Sequence, residues 1–131
     1  MPDMKYWLLA PVLLTLAGKL SADEVTNALK IGAGAGTNYF NREMIVTGVV
    51  AQVSIRPRMV FLNLDRPYPE SPFTLIILPA ATNQFGDIPA LKGKHVEAQG
   101  IIKNYHDRPE IILANTNQLK LVGLANGPDT K

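Results

Sequence analysis

The sequence predicts an all-β fold in which five short strands close into one small barrel, and three observations predict it. Apolar residues alternate with polar ones over Glu43–Ile55, Arg58–Asp65, Lys94–Lys103 and Glu110–Ala114, the period of a half-buried strand. Prolines and glycines punctuate the intervals between these runs. The alternation in the first run changes parity near Gly48–Ala51, the mark of a bulge that lets one long strand serve both halves of a closed sheet.

The chain opens with the three parts of a secretory signal. Met1–Lys5 is short, with one Lys, Tyr6–Ala17 is apolar and uncharged, and small residues lead to Leu20-Ser21-Ala22. The apolar run falls short of the roughly 20 residues that a membrane span needs, so residues 1–22 are expected to be a signal peptide, cut after Ala22 or, alternatively, after Ala17. A membrane association is expected only if this leader stays uncleaved. Residues 23–42 read as a lead-in. Val25, Ala28 and Leu29 have helical spacing within Asp23–Lys30, which predicts a short N-terminal helix. Ile31-Gly32-Ala33-Gly34-Ala35-Gly36 lacks the preceding strand and the glycine spacing of a dinucleotide loop, and predicts a flexible stretch.

Residues 43–122 hold the barrel. In the first strand Met44, Val46 and Val50 share a face, and Val53 and Ile55 take the opposite parity. Arg56-Pro57-Arg58 is a turn, because Pro57 cannot donate to a ladder. In the second strand Val60, Leu62 and Leu64 point inward while Met59, Phe61 and Asn63 point out. A proline-rich loop follows, and Phe73–Leu78 is a third strand apolar enough to be covered on both faces. Pro79–Gly93 breaks the alternation and predicts a short helix between strands three and four, with Phe85, Ile88 and Leu91 plugging one end of the barrel. In the fourth strand Val96, Ala98, Gly100 and Ile102 face inward. Asn104–Pro109 is a hairpin, and the fifth strand turns Ile111 and Leu113 inward, with Leu119 and Leu121 returning to the pattern. Residues 123–131 read as a disordered tail.

Three strands, a helical plug and two more strands is the order of the OB-fold, a Greek-key barrel whose ligands cross strands two and three between loops 1–2 and 4–5. The residues Val46-Thr47-Gly48-Val49-Val50, Phe61-Leu62-Asn63-Leu64, Leu91-Lys92-Gly93-Lys94-His95-Val96-Glu97-Ala98-Gln99-Gly100 and Tyr105-His106-Asp107-Arg108-Pro109-Glu110-Ile111 resemble a bacterial group of OB-fold domains with tRNA-anticodon-binding or nuclease-associated relatives. In that group a Gly stands where this chain has Asp107, a residue that also tolerates turn geometry. The resemblance implies the fold; such barrels carry many unrelated ligands.

Composition narrows the function. Of 131 residues, 47% are hydrophobic and 18% charged, as in a folded globular chain. The net charge is +2, and Lys5, Lys19 and Asp3 of the leader supply +1 of it, so the rest is nearly neutral. With no cysteine, a disulfide, a thiolate metal site and a thiol nucleophile are excluded. The two histidines, His95 and His106, lack metal-ligand spacing, so no metal and no cofactor are expected. The carboxylates Glu97, Asp107 and Glu110 show no paired arrangement, and Ser54 and Ser71 have no nucleophile context, so the chain is expected not to be an enzyme.

A binding role is sharper. Single-stranded nucleic acid needs a cationic groove with aromatic faces. Arg56, Arg58 and Arg66 cluster around strand two with Phe61, Asn63 and Tyr68, while Lys103, Tyr105, His106 and Arg108 cluster in loop 4–5. The expectation is a periplasmic or secreted binding module for single-stranded nucleic acid at these ten residues. Protein or glycan contact through the same face, or a structural and assembly role, is the alternative; solvated arginines and packed aromatics are the reading without a nucleic-acid site.

Overall fold

The structure, a computed structural model, describes residues 28–123. The expected signal peptide, most of the expected N-terminal helix and nearly all of the expected tail lie outside the described residues.

Eight strands form one sheet: β1 (Lys30–Gly32), β2 (Glu43–Ile55), β3 (Val60–Leu64), β4 (Phe73–Ile77), β5 (His95–Ile101), β6 (Lys103–Tyr105), β7 (Arg108–Leu113) and β8 (Leu119–Leu121). The spatial order is β6-β7-β4-β3-β2-β5-β8, with β1 lying parallel beside β2. All other pairs are antiparallel except β4 with β7.

The long strand behaves as its parity switch predicts. Residues 43–49 of β2 pair with β5, the register shifts between Val50 and Gln52, and the second half pairs with β3. The bend brings β2 against the end of β3, where a Cβ on Gly48 would lie 3.0 Å from the Asp65 carboxylate and 3.3 Å from Leu64. Met44, Val46, Val50, Leu62, Leu64, Phe73, Leu75, Val96, Ala98, Ile102, Ile111 and Leu113 are all buried in one core. Ile76, on the opposite face of β4, is buried too, as the unbroken apolar run predicts.

A five-stranded closed ring was the expectation; the ladders here do not close. The fourth expected strand breaks at Ile102, whose N–H donates to Arg42 O and whose carbonyl accepts from Asn41 N. Before the break the chain pairs with β2 and after it with β7, and no ladder joins β5 to β7. A side chain bridges that seam instead. Gln118 Nε2 donates to Gln99 O at 3.0 Å and to Ile112 O at 3.1 Å, while its Oε1 accepts from Ala114 N and Asn115 N. Gly100 keeps the seam tight, since a Cβ there would fall 2.8 Å from Ile111.

Four other expectations are corrected. Lys30 lies in β1 and Ala28–Leu29 precede it without helical structure, because the Leu29 carbonyl already accepts from Ile45 N and aligns the chain beside β2. The glycine-rich stretch is not a flexible lead-in: Ala33–Tyr39 is a 3-10 helix with Ala33 and Gly36 buried. Gly36 is there for space and not for backbone angle, since a Cβ would lie 2.6 Å from the Phe73 ring. The expected short helix of the plug is split into two 3-10 segments, Pro79–Phe85 and Ile88–Leu91; Ile88 and Leu91 are buried, and Phe85 packs against the core. Leu119–Leu121 is not the end of the fifth strand but a separate edge strand on β5, and Leu121 is 53% exposed there.

Candidate nucleic-acid interface

The outer faces of β2, β3, β4 and β7 form the floor of a groove of about 550 Å³. Two cross-strand rows run through that floor, and their last members, Lys103 and Ile112, lie outside its lining. One is polar: Gln52 pairs with Asn63, Asn63 with Thr74, Thr74 with Glu110, and Glu110 with Lys103 of β6. The next is largely apolar: Ser54, Phe61, Ile76 and Ile112. With strands about 4.8 Å apart, the polar row crosses the sheet in four steps, roughly 19 Å.

Asn63 is the centre of the polar row and only 4% exposed. Its Nδ2 donates to Gln52 Oε1 at 2.8 Å, and its Oδ1 accepts from Thr74 Oγ1 at 2.8 Å and from Ser71 Oγ at 3.3 Å. Every polar atom that Asn63 buries therefore finds a partner, as a buried amide requires. Gln52 Oε1 accepts a second bond from Tyr68 N at 2.9 Å, which fastens the loop after β3 onto the sheet. Arg108 fastens it from the other side: its guanidinium lies 4.9 Å from the Tyr68 ring centroid and its Nη2 donates to Pro69 O at 2.6 Å.

The hairpin between β6 and β7 supplies the far wall. His106 and Asp107 have φ of 50° and 66°, positive at both central turn positions as in a type I′ turn, and Asp107 N is held by Asn104 Oδ1. The Asp in place of the Gly of the resembled group thus keeps the hairpin. It carries Tyr105, which is 58% exposed and meets the His106 ring edge-on at 4.3 Å.

Six of the ten expected site residues line this groove: Arg56, Phe61, Asn63, Tyr68, Tyr105 and Arg108. Arg58 instead lines an adjoining hollow of about 270 Å³ that shares Arg56 and Met59 with the groove. Arg66 follows β3 on the exposed loop, Lys103 is exposed on β6, and His106 is at the hairpin tip; these three do not line it. Sequence reasoning missed Gln52, Ser54, Met59, Thr74, Ile76, Pro109 and Glu110 as lining residues. Partial burial raises the Glu110 pKa above the ordinary carboxylate value, and Lys103 opposes the shift. His95 lies elsewhere, its Nε2 3.0 Å from Thr47 Oγ1. Among the described residues no group of three or more His, Asp or Glu could hold a metal ion.

No protein-family profile and no curated protein matches the chain. Solved structures do. Asparaginyl-tRNA synthetase from Pyrococcus horikoshii is similar at a TM-score of 0.50 and 13% identity, over 71% of this chain and 23% of that one. OBody AM3L15 bound to hen egg-white lysozyme is similar at 0.52 and 15% identity, over 69% and 89% of the two chains. This chain has an OB-fold. Its OB-fold spans only 20% to 24% of the length of the tRNA synthetases it matches. The groove of this chain crosses β3 and β4; OB-folds ordinarily take their ligands across their second and third strands.

Proposed function

We propose that this chain is a non-catalytic, exported OB-fold module that holds single-stranded nucleic acid in the groove over β2, β3, β4 and β7. The observation that carries the reading is the convergence of Arg56 and Arg108 with Phe61, Tyr68 and Tyr105 on one groove. Aromatic faces stack on bases, and guanidinium groups neutralise phosphates. The groove volume falls within the roughly 300–1,000 Å³ of ligand sites. β5 and β6 act in this reading as one barrel strand interrupted at Ile102, so that the five-stranded Greek-key barrel is the functional frame and β1 and β8 are additions. The leader pattern of residues 1–22 supports a periplasmic or secreted location.

Protein or glycan contact is the second reading, and Glu110 favours it, since a carboxylate inside the groove repels phosphate. The OBody seated on lysozyme is an OB-fold with a protein partner.

Fluorescence anisotropy of the purified protein with labelled single-stranded DNA and RNA, at low and high salt, separates the two. Two neutralised phosphates give a log–log salt slope of about −1.4. Arg56→Ala together with Arg108→Ala abolishes that slope. Absence of binding at low salt, or a double variant that binds as well as the parent, overturns the nucleic-acid reading. Cell fractionation with N-terminal sequencing tests export: a mature chain starting at Asp23 outside the cytosol is expected, and an intact Met1 in the cytosol refutes it.

A further inference from the structure

The polar row on the groove floor is satisfied at one end and open at the other. Gln52, Asn63, Ser71 and Thr74 bond to one another, and the single Thr74 hydroxyl proton is spent on Asn63. Glu110 is next to Thr74 in register and lines the groove, yet no hydrogen bond among the described residues reaches its carboxylate. Lys30 with Glu97 forms the only ion pair within 4.0 Å among the described residues, so Lys103 stands opposite Glu110 across the ladder without closing on it. Arg108, two residues earlier on the same face of β7, is engaged by the Tyr68 ring and Pro69 O. Glu110 therefore offers two acceptor oxygens to whatever enters, in a partly desolvated place where an unanswered charge is unfavourable.

Phosphate cannot answer that charge; a planar group with N–H donors can. Single strands expose the Watson–Crick edges of their bases. Guanine alone presents two adjacent donors there, N1–H and N2–H, at the spacing of the two carboxylate oxygens. Cytosine and adenine set one amino donor beside an unprotonated ring nitrogen, which would face the second oxygen. Thymine and uracil flank their single N–H with carbonyls. We infer that Glu110 makes the groove selective for guanine, accepting N1–H and N2–H together while the exposed Tyr105 ring at the same groove covers the purine face.

The inference rests on the nucleic-acid reading, and the experiment separates the two. Anisotropy is measured on thymidine ten-mers whose central nucleotide carries guanine, hypoxanthine, adenine, cytosine or thymine, with the parent protein and Glu110→Gln. The guanine ten-mer is expected to bind about tenfold more tightly than the all-thymine one, the scale of one good bidentate contact. Hypoxanthine, which lacks the N2 donor, should recover only part of that gain. In Glu110→Gln the guanine preference should be lost, with the five affinities within about twofold of each other. Equal binding of all five by the parent, or a guanine preference that survives Glu110→Gln, overturns the inference and leaves the nucleic-acid reading standing. No binding of any ten-mer at low salt overturns both.

Discussion

The two halves of the sheet bury the same core and present different outer faces. Over β1, β2 and β5 that face carries separate pairs: Lys30 with Glu97, Thr47 with His95, and Gln99 with Glu43. Each is an exposed or half-exposed contact of the kind that contributes little singly. Over β3, β4 and β7 the polar groups are linked through Asn63, and the loop after β3 and the hairpin after β6 rise on either side. The difference teaches which outer face is built as one connected unit. A linked, buried polar row fastens the loop after β3 to the sheet, whereas isolated pairs hold nothing beyond themselves.

Asn63→Ala is the largest test of that contrast. It strips partners from Gln52, Ser71 and Thr74 at once, and should cost about 2–3 kcal/mol in urea unfolding while weakening ligand binding through the loosened Tyr68 loop. Thr47→Ala removes one half-buried bond on the other half and should cost about 0.5–1 kcal/mol with no effect on binding. Equal costs would dissolve the contrast. Gln118→Ala comes next. It leaves the seam between β5 and β7 with no bridging side chain and should cost about 1–2 kcal/mol, a fall in Tm of several degrees for a domain of this size.

The strands were legible because the signal that reports them, alternation, is the cause of their burial: Met44, Val46, Val60, Leu62 and Val96 are inward in sequence pattern and in structure. The parity switch in β2 likewise appears as the register shift at Val50–Gln52. What escaped was set by partners distant in sequence. The glycines of residues 32–36 looked like freedom, but Gly36 is shaped by Phe73 and Pro109, more than thirty residues away. Leu121 looked inward by parity, yet β8 lies at the edge of the sheet, where one face is open to water. For the groove, charge and aromaticity identified Arg56, Phe61, Tyr68, Tyr105 and Arg108, and outward parity on the second strand identified Asn63. Gln52 and Thr74 carry neither signal; counting outward parity from Asn63 across the ladders would have found them.

Arg108→Lys is a smaller change that asks whether the loop is held by charge or by shape. Lysine keeps the charge and loses the planar group over Tyr68, so a loss of about 0.5–1 kcal/mol is expected, with weaker binding. Unchanged stability would mean that Gln52 alone fixes the loop.

Glu110→Gln is the smallest in stability and the most specific in sign. Burial raises the folded-state pKa of Glu110 above its ordinary value, so the native protein holds this proton where the unfolded chain has already released it. Stability therefore falls as pH rises from the ordinary value through the raised one, and the deficit stays constant above. Below the ordinary value the carboxyl is neutral in both states and contributes no deficit. Glutamine removes the ionisation, so the variant should match the parent near pH 4 and exceed it slightly at pH 7, solvent and Lys103 having offset part of the cost. Unfolding curves at the two pH values decide it. A variant less stable than the parent at pH 7 would mean that the Lys103 attraction outweighs desolvation, and that Glu110 belongs with the separate pairs of the opposite face rather than with the groove.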